Sequence, residues 1–351
     1  MTAAFVDHVR RVRDNWFRPG APPEAARLLG VDDETLDGWQ RSAGRLVTLP
    51  HASPNVFHPR TRVGWYAGHV QELRPDLHHV RVVLTHVNFS DLGWRPYAWW
   101  CLGPDGDVRV HRQFSRNKKL KHVVVSSCPG MSEVPDDLNE VDAEAARAAL
   151  WGVDLAVSYM LISAVVERAA GMVVPGRASY VPLPALIGFA RDQAAAGNAS
   201  ASGWCRALTA QAAGRRVAGR GLLEDCDPSV ADVFDNYSNI AALALLGDVQ
   251  VLGGAKMAGY WPHVEAVLDP LMPLLPDDAA APVPVLVPDV ELPAAAAPSP
   301  AVQRQLDTLG VGYSQGLAVA EHGSFASRYD PFGALDRERL PGSPDRTGVH
   351  E

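Results

Sequence analysis

The run from Ala143 to Val174 constrains the fold more than any other part of this sequence. Between Ala148 and Val166 its only charge is Asp154, so a helix here is apolar nearly all the way round. Such a helix belongs at the centre of a large core or in a membrane. A span needs about 20 mostly apolar residues, and Asp154, Ser158 and Ser163 interrupt this run. The reading is a buried helix of a protein with no membrane partner.

The 351 residues suffice for one large domain or two ordinary ones. A net charge of −8 and a pI near 5.8 argue against a generally basic nucleic-acid binder. Cys101, Cys128, Cys205 and Cys226 lie far apart without a C-x-x-C pair. They read as reduced thiols of a cytoplasmic protein. Phe5, Val9, Val12 and Trp16 recur at helical spacing, which predicts an amphipathic N-terminal helix ended by Pro19-Gly20 rather than a secretory signal. Short helices are expected over 23–29 and from Asp32 or Asp33 to about Ser42.

From Leu46 to Ser127 the texture changes to strands. Val80 to Val87 is β-branched, and Tyr97–Leu102 and Val108–Phe114 flank a Pro104-Asp105-Gly106 turn, which predicts an antiparallel hairpin. After the central helix, helical pieces are expected over 183–196, 204–217, 240–246 and 264–271. The resulting expectation is an α+β fold: a helix-dominated domain with an antiparallel β region in the N-terminal half. The segments are 1–45 (helical), 46–130 (β-rich), 131–275 (alanine-rich helical), 276–301 (a Pro/Ala-rich linker or arm) and a C-terminal piece, 302–351.

Chemistry-bearing motifs are few. His51, His58, His69, His78, His79, His86, His111 and His122 are scattered without metal-ligand spacing, so neither a metal nor a cofactor is expected. Arg116, Lys118, Lys119 and Lys121 form a basic cluster that could touch phosphates, although a solvated loop is the plainer reading. Leu252-Gly253-Gly254-Ala255-Lys256 lacks the phosphate-loop spacing, and the glycines at 214, 219 and 221 fail the dinucleotide fingerprint. Gly312-Tyr313-Ser314-Gln315-Gly316 matches G-x-S-x-G, and its wording looks like cutinases and related esterases. That resemblance implies a serine nucleophile at Ser314, with His322, Asp330 and His350 as acid and base candidates. No buried strand is evident before the motif.

The alanine-rich block from 143 to 275, followed by the Pro/Ala segment, also resembles the C-terminal half of coat proteins of totivirus-like double-stranded RNA viruses of fungi. That resemblance implies a self-associating capsid subunit found in a virion, loosely enclosing RNA and lacking a catalytic constellation. Trp261, Val264, Leu268 and Leu271 are the stripe placed nearest a contact between copies in such a homo-oligomer. The shell subunit is the first expectation, and a serine hydrolase the second.

Overall fold

The structure, a computed structural model, describes residues 2–48, 62–83, most of 99–111, parts of 130–134, 140–169, 172–197, 236–274, 280–287 and 300–308. The N-terminal layer is helical: α1 (Thr2–Val12), α2 (Pro23–Leu28) and α3 (Asp33–Arg41). Phe5, Val6 and Val9 bury one face of α1, as their spacing requires. Asp32 caps α3 by accepting from the Thr35 amide. Gly30, in the link between α2 and α3, has φ +62°. A Cβ there would lie 1.8 Å from the Ala178 carbonyl oxygen. This glycine therefore lets the backbone press against the strand that contains Ala178.

The next elements are β1 (Gly44–Thr48), α4 (Arg62–Leu73) and β2 (Leu77–Val83), followed by a hairpin of β3 (Trp99–Leu102) and β4 (Val108–His111). Then come α5 (Glu140–Ala149), α6 (Leu155–Ala169), β5 (Ala178–Pro182), α7 (Leu183–Ala195) and α8 (Asn236–Ala241). A 3-10 turn at Ala242–Leu246 leads to β6 (Val249–Gly253), α9 (Lys256–Leu268), β7 (Val283–Leu286) and α10 (Pro300–Thr308). The hairpin is antiparallel, with Trp99 opposite His111 and Leu102 opposite Val108, as its turn predicts.

The main sheet corrects the expected fold class. Its five strands run in the order β5-β2-β1-β6-β7, and every pairing is parallel. An antiparallel β region therefore does not form the principal sheet. The cause is α4, a helix the sequence reading left out, which carries the chain back so that β2 can lie parallel to β1. Three further strands lie inside the segments expected to be alanine-rich helical (131–275) or a Pro/Ala-rich linker (276–301). In particular, 283–286, inside the Pro/Ala-rich segment, is the edge strand beside β6. One sheet thus draws on the 1–45, 46–130, 131–275 and 276–301 segments, since β1 begins at Gly44.

The connections from β1 to β2 and from β2 to β5 step across the sheet in one direction. Right-handed crossovers therefore put α4 and α6 on the same face. α1, α3, α7 and the 242–246 turn cover the other face, packed on one another and on β5 and β6. Burial on both faces explains why β5 shows no polar alternation, with all five residues buried. The long apolar run is two helices rather than one. α5 ends at Ala149, and α6 starts after Asp154, whose carboxylate accepts from the Val157 amide. Tyr159, Met160, Leu161, Ile162 and Val165 of α6 are buried, as the lack of charge demanded.

Pro284 occupies a sheet position that tolerates proline, in an edge strand with its backbone turned outward. The Val287 amide donates inward to the Gly253 carbonyl, 2.8 Å away. Parallel strands alternate inward and outward residues, so the backbone of Pro284 faces away from β6. Its missing N–H costs the sheet nothing and leaves the free edge a poor template for another strand.

Candidate functional site at the carboxyl edge of the parallel sheet

β2 places two histidines side by side, and the pleat sends them to opposite faces. His78 faces α3: its ring stacks on Trp39 at 5.2 Å between centroids and 7° between planes. His78 Nε2 lies 2.9 Å from Ser179 Oγ on β5. A Ser–His pair invites comparison with a catalytic dyad, but the proton count decides against it. The Ser179 hydroxyl has one hydrogen and donates it to the Gly30 carbonyl at 2.6 Å. His78 Nε2 must therefore carry the proton of its own contact and cannot act as the base for Ser179. The pair also stands in the amino half of the strands, whereas open parallel sheets bind ligands beyond the carboxyl ends.

His79 faces α4 and α6, where the polar groups approach that carboxyl edge. Its Nε2 lies 2.7 Å from Thr48 Oγ1, on the last residue of β1. His79 is fully buried, and its Nδ1 has no hydrogen-bond partner among the described residues. Burial, reinforced by the Arg81 charge and then by His78, pulls its pKa down to about 3, so the ring is neutral. In the next row of the same face, Thr48, Arg81 and Tyr180 stand abreast on β1, β2 and β5. Glu167 of α6 closes that row. It accepts from Arg81 Nε at 3.1 Å and Nη2 at 2.6 Å, and from the Tyr180 hydroxyl at 2.6 Å. Burial and the Glu167 charge raise the Tyr180 pKa well above its ordinary value, so Tyr180 holds its proton.

The strand order reverses between β1 and β6, where the chain leaves one strand toward β2 and the other toward β7. At this reversal β6 ends in Gly253-Gly254-Ala255 and enters α9, whose start has no side-chain cap. Lys256 is exposed in its first turn. The turn lacks phosphate-loop spacing, yet it has the strand-to-helix context that such sites use. Gln250 and Leu252 share the Thr48 face, and Gln250 Oε1 is buried without a hydrogen-bond partner among the described residues.

Several residues singled out in the sequence have no described position. Ser314, His322, Asp330 and His350 lie outside the described residues, as do Arg116, Lys118, Lys119 and Lys121. Only Leu309, Gly310 and Val311 separate the end of α10 from Gly312, so the element described before the G-x-S-x-G motif is a helix. Trp261, Val264, Leu268 and Leu271 are all buried within this chain. Among the described residues no group of three His, Cys, Asp or Glu side chains is placed to hold a metal ion. No described helix is long and apolar enough to cross a membrane.

Sequence reasoning missed Thr48, Arg81, Glu167 and Tyr180. Their proximity depends on sheet register and on α6, and no local motif signals either. No family model matches the chain, and no curated protein or solved structure does so.

The shell-subunit expectation, with its capsid, virion and self-assembly corollaries, is overturned by the sheet. A parallel sheet covered by helices on both faces is an enzyme-like α/β architecture. The resemblance to coat proteins rested on an alanine-rich helical block, which is in fact interrupted by the buried strands β5 and β6. The stripe of Trp261, Val264, Leu268 and Leu271 belongs to the chain's own core.

Proposed function

We propose that this chain is an α/β enzyme whose small-molecule substrate binds over the carboxyl edge of the sheet, at the reversal between β1 and β6. The observation that carries this reading is the strand order β5-β2-β1-β6-β7, which opens a crevice between diverging connections. Thr48 at the end of β1 and the uncapped start of α9 at the end of β6 flank that crevice, the latter with the positive end of its dipole. The wide spacing of the cysteines supports a cytoplasmic setting.

A panel of phosphorylated and carboxylated metabolites, screened by thermal shift, tests the site. Any stabilising ligand should lose its effect in Ala255→Trp, because residue 255 is exposed at the mouth of the turn and a bulky ring would cover it. A ligand that stabilises wild type and Ala255→Trp equally would place the site elsewhere.

Acyl hydrolysis by Ser314 is a second reading, favoured by the G-x-S-x-G motif together with the parallel sheet, on which such serines are commonly mounted. His322, Asp330 and His350 supply its acid and base candidates. A fluorophosphonate probe should then label the native chain and fail on Ser314→Ala. Absence of labelling on active wild-type protein would remove this reading and leave the crevice proposal standing.

A further inference from the structure

Where α1 packs on α7, a buried imidazole has an acceptor at each of its nitrogens. His8 of α1 stacks on Phe5 at 6.3 Å between centroids and meets Phe189 of α7 edge-on at 5.7 Å. Its Nε2 faces the backbone of α7 near Gly188, where a Cβ would lie 3.7 Å away. The Ala185 carbonyl, one turn earlier, accepts from the ring. One turn later, Asp192 Oδ2 lies 3.0 Å from His8 Nδ1, close enough for an ion pair but not aligned as a hydrogen bond. The imidazole is 4% exposed and the carboxylate 57%, so the ring is caged while its partner stands at the rim. Burial lowers the His8 pKa; the Asp192 charge opposes this, and the Arg11 charge, from α1 itself, adds to it. The other elements packed on α1 bring no competing charge to the ring. Asp33 and Asp37 of α3 pair with Arg10 and Arg13, and the 242–246 turn has only Ala and Leu side chains.

We propose that His8 and Asp192 form a proton-operated latch between α1 and α7. A neutral imidazole has a single N–H and can serve only one of the two acceptors, which leaves a bare lone pair against the other oxygen. A protonated ring donates to both, and the carboxylate supplies the counter-charge that a buried imidazolium needs. As pH falls, Asp192 turns onto the Nδ1–H and ties α7 to α1 just when the desolvated charge would otherwise drive the ring out. Burial still outweighs the carboxylate, so the latch limits the loss of stability in acid without reversing it. What it holds is the helical layer over one face of the sheet. The Thr2 hydroxyl at the start of α1 donates to the Leu246 carbonyl at 2.7 Å, just before β6, so α1 bridges α7 and the approach to that strand. The latch does not depend on the proposed substrate crevice.

The test is a pH titration of the full chain, wild type and Asp192→Asn, followed by NMR between about pH 4 and 8. The His8 Hε1 resonance, identified by its loss in His8→Gln, should titrate below the ordinary histidine range in wild type and about half a unit or more lower still in Asp192→Asn. Asp192→Glu keeps the charge and should restore part of that shift. Hydrogen exchange of the α1 amides reads the latch itself. Below the wild-type His8 midpoint these amides should exchange about fivefold faster in Asp192→Asn than in wild type; well above it the two proteins should match. A His8 ring that never titrates in this range, a midpoint unchanged by Asp192→Asn, or an exchange difference that is the same on both sides of the midpoint would make the carboxylate a mere surface neighbour and would overturn the proposal.

Discussion

Removing the guanidinium of Arg81 is the most direct test of how the polar row on the α6 face is held. The Arg81 and Glu167 side chains are 10% and 7% exposed, so neither charge has appreciable access to water. In Arg81→Met the Glu167 carboxylate keeps the Tyr180 hydroxyl but loses its counter-charge and the three hydrogen bonds from guanidinium Nε and Nη2. Breaking one side of a buried pair costs about 3–5 kcal/mol, mostly because the abandoned charge stays desolvated. Replacing the whole cluster has a different outcome, since no charge is left behind. The triple change Arg81→Met, Glu167→Leu, Tyr180→Phe should recover most of the loss, and Tyr180→Phe alone should cost about 1.5–3 kcal/mol, the worth of a hydrogen bond to a charged group. Urea unfolding of the four proteins supplies these differences. A loss below about 1 kcal/mol in Arg81→Met would refute the reasoning, because a loss that small is typical of solvent-exposed pairs.

Acid sensitivity should come chiefly from the two histidines of β2. Their folded pKa values, pulled by burial to about 3, lie below the ordinary 6.5, so the unfolded chain binds more protons between these values. Their contribution is complete above pH 6.5 and is lost as pH falls toward 3, with His8, also depressed by burial, acting in the same sense. Denaturation at pH 4, 5 and 6 should show a slope that falls by about 1.4 kcal/mol per pH unit in His79→Gln; an unchanged slope would assign the effect elsewhere. Gly30→Ala should cost more than the 1–2 kcal/mol of a left-handed backbone, because its Cβ would fall 1.8 Å from a strand carbonyl; a smaller loss on thermal unfolding would mean that the 29–30 segment yields. Pro284→Val should leave monomer stability nearly unchanged but increase self-association, measured by light scattering at rising concentration; no increase would show that the edge is guarded by something other than proline.

Some of this fold was legible in the sequence, and physical reasons separate what was read from what was not. Helices with a local device were readable: Asp32 caps α3, and the spacing of Phe5 and Val9 turns one face of α1 inward. The hairpin was readable because its turn residues act within a few positions. The parallel sheet was not, because its strands are short and buried on both faces. Ala178–Pro182 therefore shows none of the alternation that marks a half-exposed strand, and Val249–Gly253 shows it only at Gln250. α4 escaped because Gly64, Gly68 and the β-branched Val63 and Val70 give Arg62–Leu73 a poor helical signature. The polar row was least readable of all. Thr48 meets His79, and Arg81 meets Glu167, only after register and crossover are settled.

The placement of β1 at the centre of the sheet has a consequence in time. One of its neighbours, β2, follows within a single helical crossover, but the other, β6, begins at Val249, about 200 residues beyond Thr48. At a synthesis rate of about 5–20 residues per second, that neighbour emerges roughly 10–40 s after β1 has left the ribosome. Throughout this interval the strand destined to be the most enclosed is an open, apolar edge, unprotected by the proline that guards the finished sheet. The nascent chain, and not the folded protein, is thus the state most exposed to misassembly and most dependent on chaperones.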